Sequence, residues 1–282
     1  MGERRAPDGG FYIPYRIPKL SAEELRAMRR MGSFERVLLV ARRFLRLPDM
    51  DPISLRLDLL GNGIAVCEMF QRENGSFRGY IRSLARQMGL CSDTEPGWLE
   101  IGIRIGVIAS ATVDLASTKG SVDLSMVSGD LFGPLSAYLA REMGFPVGDI
   151  LCCCNANSGF WELLHHGQFR TDQISARTGI PEADIAVPDG LECLIALCCG
   201  REEAVRYVEA LRSGKPYVPG GEGSDRLRSA FRSTVVTGSG ILRGGYITRG
   251  SPVKAGTALA LAGLLDHRAR TCSCSPALVI AE

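Results

Sequence analysis

The chain has 282 residues, 45% of them hydrophobic, enough to bury a sizeable core in one large domain or two modest ones. Its 33 basic residues nearly cancel 31 acidic ones, and a formal charge of +2 gives no electrostatic footprint for nucleic acid or an anionic membrane. No stretch has the roughly 18 uncharged apolar residues of a membrane span, and the polar opening from Met1 to Gly10 lacks the apolar run of a signal peptide, so a cytoplasmic protein is expected.

Asp8-Gly-Gly-Phe-Tyr-Ile-Pro opens a turn and a short extended piece. Ser21, with Glu24 three residues later, predicts a capping box and a helix from Ala22. Phe34, Val37, Leu38, Ala41 and Leu45 recur at the spacing of one buried helical face, and Pro48 and Pro52 end that helix. Ile64 to Phe70 reads as a strand, Gln71 to Gly75 as a polar turn, and Phe77 to Met88 as a helix closed by Gly89. A polar linker over Ser92 to Gly97 precedes a helix with Ile101, Ile105, Ile108, Thr112 and Leu115 on one face.

Val122 to Val127 is strand-like, Ser128 to Gly133 is a tight loop, and Pro134 suits the first turn of a helix that buries Leu135, Tyr138, Leu139 and Met143 before Gly144. Ile150 to Cys154 is a continuous apolar run of the kind found inside parallel sheets, and Asn155 to Ser158 turns into a helix through His166. Further strands are expected at Ile185 to Val187 and Ala277 to Ala281, with helices over Arg201 to Arg212 and Thr257 to Leu265 and a Gly-rich loop over Gly214 to Gly223. The alternation predicts an α/β fold: a mostly parallel sheet flanked by helices, with right-handed crossovers. Two regions are expected, 1–90 with N-terminal helices and one strand-helix unit, and 98–282 as the main α/β domain.

Ten cysteines sit in tight clusters inside apolar stretches, which fits reduced thiols packed as small hydrophobes. Adjacent residues on a strand point to opposite faces, so Cys152, Cys153 and Cys154 do not jointly grip an ion, and no metal site is expected.

A loop between a strand and a helix N-terminus presents backbone N–H groups and the positive end of a helix dipole, which favour a phosphate. Ser128, Gly129, Asp130, Leu131, Phe132 and Gly133 have that placement, although many α/β proteins use such a loop merely to turn the chain. A phosphate-bearing small molecule is the partner this implies.

Val127 to Pro146 resembles the threonine synthase segment Pro-(Ser/Thr)-Gly-Asn-Phe-Gly-Asn with its following helix ending Ala-Lys-Met-Gly-Leu-Pro. Cys154-Asn-Ala-Asn-Ser is similar to the family's Thr-Asn-Glu-Asn-Asp, and Ala183-Asp-Ile-Ala-Val-Pro to its Met-Asp-Ile-x-Val-Pro. The opening Asp8-Gly-Gly-Phe-Tyr-Ile-Pro matches the family's Asp-Gly-Gly-Leu-x-Val-Pro. The resemblance implies the large domain of a fold type II pyridoxal phosphate (PLP) enzyme, with residues 128–133 at the cofactor's phosphate.

The pattern then breaks. Glu68-Met-Phe-Gln-Arg-Glu-Asn-Gly-Ser-Phe-Arg-Gly stands where the family has Glu-Leu-Phe-His-Gly-Pro-Thr-x-x-Phe-Lys-Asp, so Arg78 occupies the place of the lysine that forms the Schiff base. A guanidinium stays protonated and offers no nucleophilic lone pair. Only Lys19, Lys119, Lys215 and Lys254 exist in the chain, and Lys254, in a stretch similar to the family's Asp-Pro-His-Thr-Ala, is the sole candidate for a relocated Schiff base. Asp130 replaces a neutral asparagine, Leu131 lengthens the loop by one, and the family's smaller subdomain has no counterpart between Met88 and Gly97. The expectation is a catalytically inactive threonine-synthase-like protein. The alternatives are a PLP-dependent lyase completed by a partner chain and a noncatalytic interaction module, and sheet edges left uncovered predict association with a second copy.

Overall fold

In the computed structural model, which describes residues 10–53, 55–68, 77–90, 97–116, 120–247 and 253–281, β1 (Arg56–Gly61) and β2 (Ile64–Glu68) form an antiparallel hairpin. The turn between them is Asn62-Gly63, both with positive φ (50° and 69°), the backbone a two-residue primed turn demands. Leu59 of β1 is exposed, whereas Ile64, Ala65, Val66 and Cys67 of β2 are all buried, as in a strand covered on both faces. β6 (Ala277–Ala281) runs parallel to β2, from Ile64 opposite Ala277 to Glu68 opposite Ala281.

These strands belong to one of two compact units, made of Met1–Val122, Ser136–Gly148 and Ser275–Glu282; the other comprises Asp123–Leu135 and Asp149–Cys274. In the first, α1 (Ala22–Met28) carries the predicted capping box: the Ser21 hydroxyl accepts the Glu24 N–H at 3.2 Å, and the Ser21 N–H donates to the Glu24 carboxylate at 2.8 Å. α2 (Ser33–Ala41) packs along α4 (Gly97–Leu115) at Gly106. A Cβ on Gly106 would lie 2.7 Å from the Val37 carbonyl oxygen, so hydrogen there sets how near the two helices come, and one on Gly102 would lie 2.6 Å from Cδ1 of Leu45, beyond the end of α2. The buried Arg36 of α2 pairs with Asp114 of α4 and donates to the Ser110 carbonyl at 3.1 Å. α3 (Phe77–Gln87), within the helix expected over Phe77 to Met88, buries Phe77, Ile81, Leu84 and Ala85, one face at i, i+4, i+7, i+8.

In the second unit, β3 (Val122–Val127) and β4 (Val147–Cys154) run parallel: the Ser128 N–H donates to the Cys153 carbonyl at 2.9 Å beyond one end. β5 (Arg232–Val235) continues the parallel order beside β4, from Leu151 opposite Arg232 to Cys154 opposite Val235. Helix α5 (Phe132–Met143) connects β3 to β4, and α6 (Gly159–His166) follows β4 and ends at Gly167, which is left-handed. Then come α7 (Gly190–Cys199), α8 (Arg201–Ser213), α9 (Gly221–Ala230), α10 (Gly238–Ile247) and α11 (Ala255–Thr271). α11 is buried from Gly256 to Leu264, and Gly263 meets Cys153 Sγ where any side chain would collide. The chain is thus an α/β protein with, among the described residues, six strands, mostly parallel, flanked by helices.

The strand expected at Ile185 to Val187 is absent. The N–H groups of Ala183 and Asp184 both donate to the Ile180 carbonyl, at 2.8 and 3.0 Å, winding this segment into turns, and Pro188 cannot donate to a ladder. The Gly-rich loop is shorter than expected because α9 begins at Gly221. The turn at 71–75, most of the linker at 92–97 and Lys119 lie outside the described residues.

Candidate functional site

The strand-to-helix turn at 128–133 lies between the end of β3 and the N-terminus of α5, at the positive end of the helix dipole. The loop expected over Ser128 to Gly133 is shorter than the sequence suggests, because the helix begins inside it, at Phe132. The turn closes on itself: the Leu131 N–H donates to the Ser128 carbonyl at 2.7 Å, and the Leu135 N–H to the Leu131 carbonyl at 2.9 Å. Leu131, the added residue, has a left-handed φ of 64° and a side chain with 0% exposure. A branched residue at positive φ costs roughly 1–2 kcal/mol, and burial of a leucine, about 1.5–3 kcal/mol, offsets it.

The Asp130 side chain decides the character of the loop. Its Oδ1 accepts the Phe132 N–H at 2.9 Å, so a carboxylate of the chain itself sits on the first turn of α5. The Asp130 carbonyl in turn accepts the Gly190 N–H at 2.8 Å. Burial pushes the Cys154 thiol at the end of β4 up to about 11, against the lowering effect of Ser128 and the Trp161 backbone.

A second layer presses on the loop. Gly129, at φ +36°, lies under the Glu182 carbonyl so closely that a Cβ would fall inside 3.0 Å of the oxygen. Gly190 is nearly as confined, with the Asp130 carbonyl oxygen 2.6 Å from where its Cβ would stand. The segment carrying Glu182 is anchored by Asp184, whose carboxylate accepts from Asn155 Nδ2 (2.7 Å), the Thr178 hydroxyl (2.7 Å) and the Thr178 N–H (2.8 Å). Burial alone would raise the pKa of Asp184, but these donors outweigh it and hold the carboxyl below its ordinary value. Asn157 Nδ2 completes the knot by donating to the Ala176 carbonyl at 2.9 Å. Sequence reasoning missed Glu182, Asp184 and Gly190 as neighbours of the loop. The Pro188-Asp189-Gly190 turn was the available signal.

Arg78 stands exposed in the first turn of α3, in the first unit. Lys254 is exposed and caps the start of α11, its carbonyl accepting the Ala258 N–H at 3.0 Å. Lys19 and Lys215 are exposed as well. Among the described residues no three His, Cys, Asp or Glu side chains group as a metal site, and no helix is long and apolar enough to cross a membrane.

No family model and no curated protein matches the sequence. Solved structures do match. A PLP-bound threonine synthase from Brucella melitensis aligns at a TM-score of 0.83 with 15% identity, over 99% of this chain and 84% of that one. Threonine synthase from yeast aligns at 0.82 with 12% identity (98% and 82%), and that from Escherichia coli at 0.75 with 13% identity (99% and 83%). What is shared at such identities is the fold.

That likeness makes PLP the group to test against residues 128–133. They do not fit its phosphate: an anion there would meet the Asp130 carboxylate, and the Phe132 N–H is already engaged by it. Two like charges about 4 Å apart repel by roughly 1 kcal/mol in water and about 4 kcal/mol at an effective dielectric of 20.

Proposed function

We propose that this chain is a threonine-synthase-like protein that does not perform Schiff-base chemistry. The observation that carries this reading is Arg78, the second residue of α3, which with Phe77 matches the family's Phe-Lys pair as Phe77-Arg78. An arginine there remains a cation at every physiological pH and does not add to an aldehyde. Lys254 does not substitute for it in this reading, because it stands exposed at the N-cap of α11, whereas a Schiff-base lysine needs a pocket that desolvates its amine.

The test is growth. Expression of the chain in a threonine auxotroph lacking threonine synthase is expected to leave the auxotrophy in place, and Arg78→Lys alone is expected not to restore growth, because the loop at 128–133 remains closed. Growth with the unaltered chain overturns the proposal.

A further inference from the structure

We propose that Asp130 is a built-in anion: by capping α5 with its own carboxylate, the chain has turned a phosphate-type loop into one that excludes phosphates. This goes beyond the reading of Arg78 and does not rest on it, since it concerns a different unit and a different group.

Three independent features converge on the same closure. The Asp130 carboxylate is bonded to the Phe132 N–H at 2.9 Å, in the first turn of a twelve-residue helix. A free anion at that turn would compete for the same N–H and the same end of the helix dipole. The backbone on the far side is locked, with the Asp130 carbonyl holding the Gly190 N–H at 2.8 Å and the Glu182 carbonyl seated against Gly129, so the loop cannot retreat without breaking contacts to 182–190. The extra residue Leu131 is pinned by a fully buried side chain, which fixes the loop in the form that aims Asp130 back at its own helix.

The proposal predicts a graded response. Asp130→Asn keeps a capping oxygen but removes the charge, and Asp130→Gly removes both. The full chain, labelled with ¹⁵N, is titrated with inorganic phosphate while the loop amides are followed by NMR, with near-ultraviolet circular dichroism to verify the fold. The unaltered chain is expected to show no saturable shift at Gly129 to Gly133. Asp130→Asn is expected to bind phosphate at least about fivefold more tightly, the factor that removing a like charge about 4 Å away supplies in water. Asp130→Gly is expected to bind more tightly still.

Equal phosphate affinity in all three proteins overturns the proposal, and so does an absence of binding in variants that keep their fold. Should a variant unfold, amide exchange in the unaltered chain decides. A Phe132 N–H protected from solvent supports the internal cap, and one exchanging at the rate of an exposed amide overturns it. Neither result bears on Arg78, whose reading fails if the chain supports threonine synthesis or forms an internal aldimine.

Discussion

The Glu182 carbonyl oxygen lies so near Gly129 Cα that no side chain fits between them. Gly129 therefore fixes both the conformation of the loop and its contact with a segment more than fifty positions later in the chain. Gly129→Ala must displace the Glu182 backbone or the loop while also holding alanine at φ +36°. A loss of about 2–4 kcal/mol is expected, read as a lower urea midpoint at an unchanged slope. An alanine variant as stable as the parent would show that the two backbones are not in contact.

Glu100 and Arg104 form an i,i+4 ion pair at 2.6 Å on the apolar helix α4, with the Arg104 guanidinium over the Phe77 ring, 4.6 Å from its centroid. Both side chains are buried. Arg104→Met leaves a carboxylate unpaired in that core and is expected to destabilise the fold by about 3–5 kcal/mol. Adding Glu100→Leu is expected to return most of that loss, because the remaining residues then pack without a charge. Thermal denaturation of the single and double variants checks this; a double variant less stable than either single one contradicts it.

Cys152, Cys153 and Cys154 are buried, and burial pushes Cys153 up to about 12 and Cys154 up to about 11. Thiolate is the reactive form, so these cysteines are expected to resist iodoacetamide near pH 7.5 in the native protein. Cys272 and Cys274 are exposed and should be alkylated first. Peptide mass spectrometry after brief labelling reads the order directly, and early modification of the β4 cysteines would show that the strand is open to solvent.

The Asp184 carboxyl is held below its ordinary value of 3.8, so its folded pKa lies beneath its unfolded one. Such a group contributes stability that is fully present above the unfolded value and is lost as pH falls through the folded value. Protection of the 175–185 segment from amide exchange is expected to hold at neutral pH and to decline below about pH 4. Asp184→Asn should abolish that acid dependence, and a segment whose protection ignores pH in the unaltered protein would contradict the assignment.

The parallel strands were legible where burial on both faces leaves an unbroken apolar run, as at β4, and helices were legible where one face is apolar, as at α3. The capping box at Ser21 and Glu24 also appears as the sequence implies. Ile185 to Val187 misled because β-branched residues next to a proline read as a strand, while Asp184 is committed to Thr178 and Asn155 in a turn. The hairpin at Asn62-Gly63 carried a strong turn signal, yet Leu57, Leu59 and Leu60 have too little alternation to announce β1. β5 has four residues, too few for periodicity. In the loop, the identity of Asp130 was visible as an odd charge, but its bond to Phe132 depends on how Leu131 turns the backbone.

The central claim, that this fold carries no Schiff-base lysine, is tested most directly by mixing the purified chain with one equivalent of PLP, reducing with borohydride and sequencing the modified peptides. The account predicts no stoichiometric pyridoxyl-lysine and no absorbance band of an internal aldimine. A single pyridoxylated site at Lys254, with such a band before reduction, would contradict it.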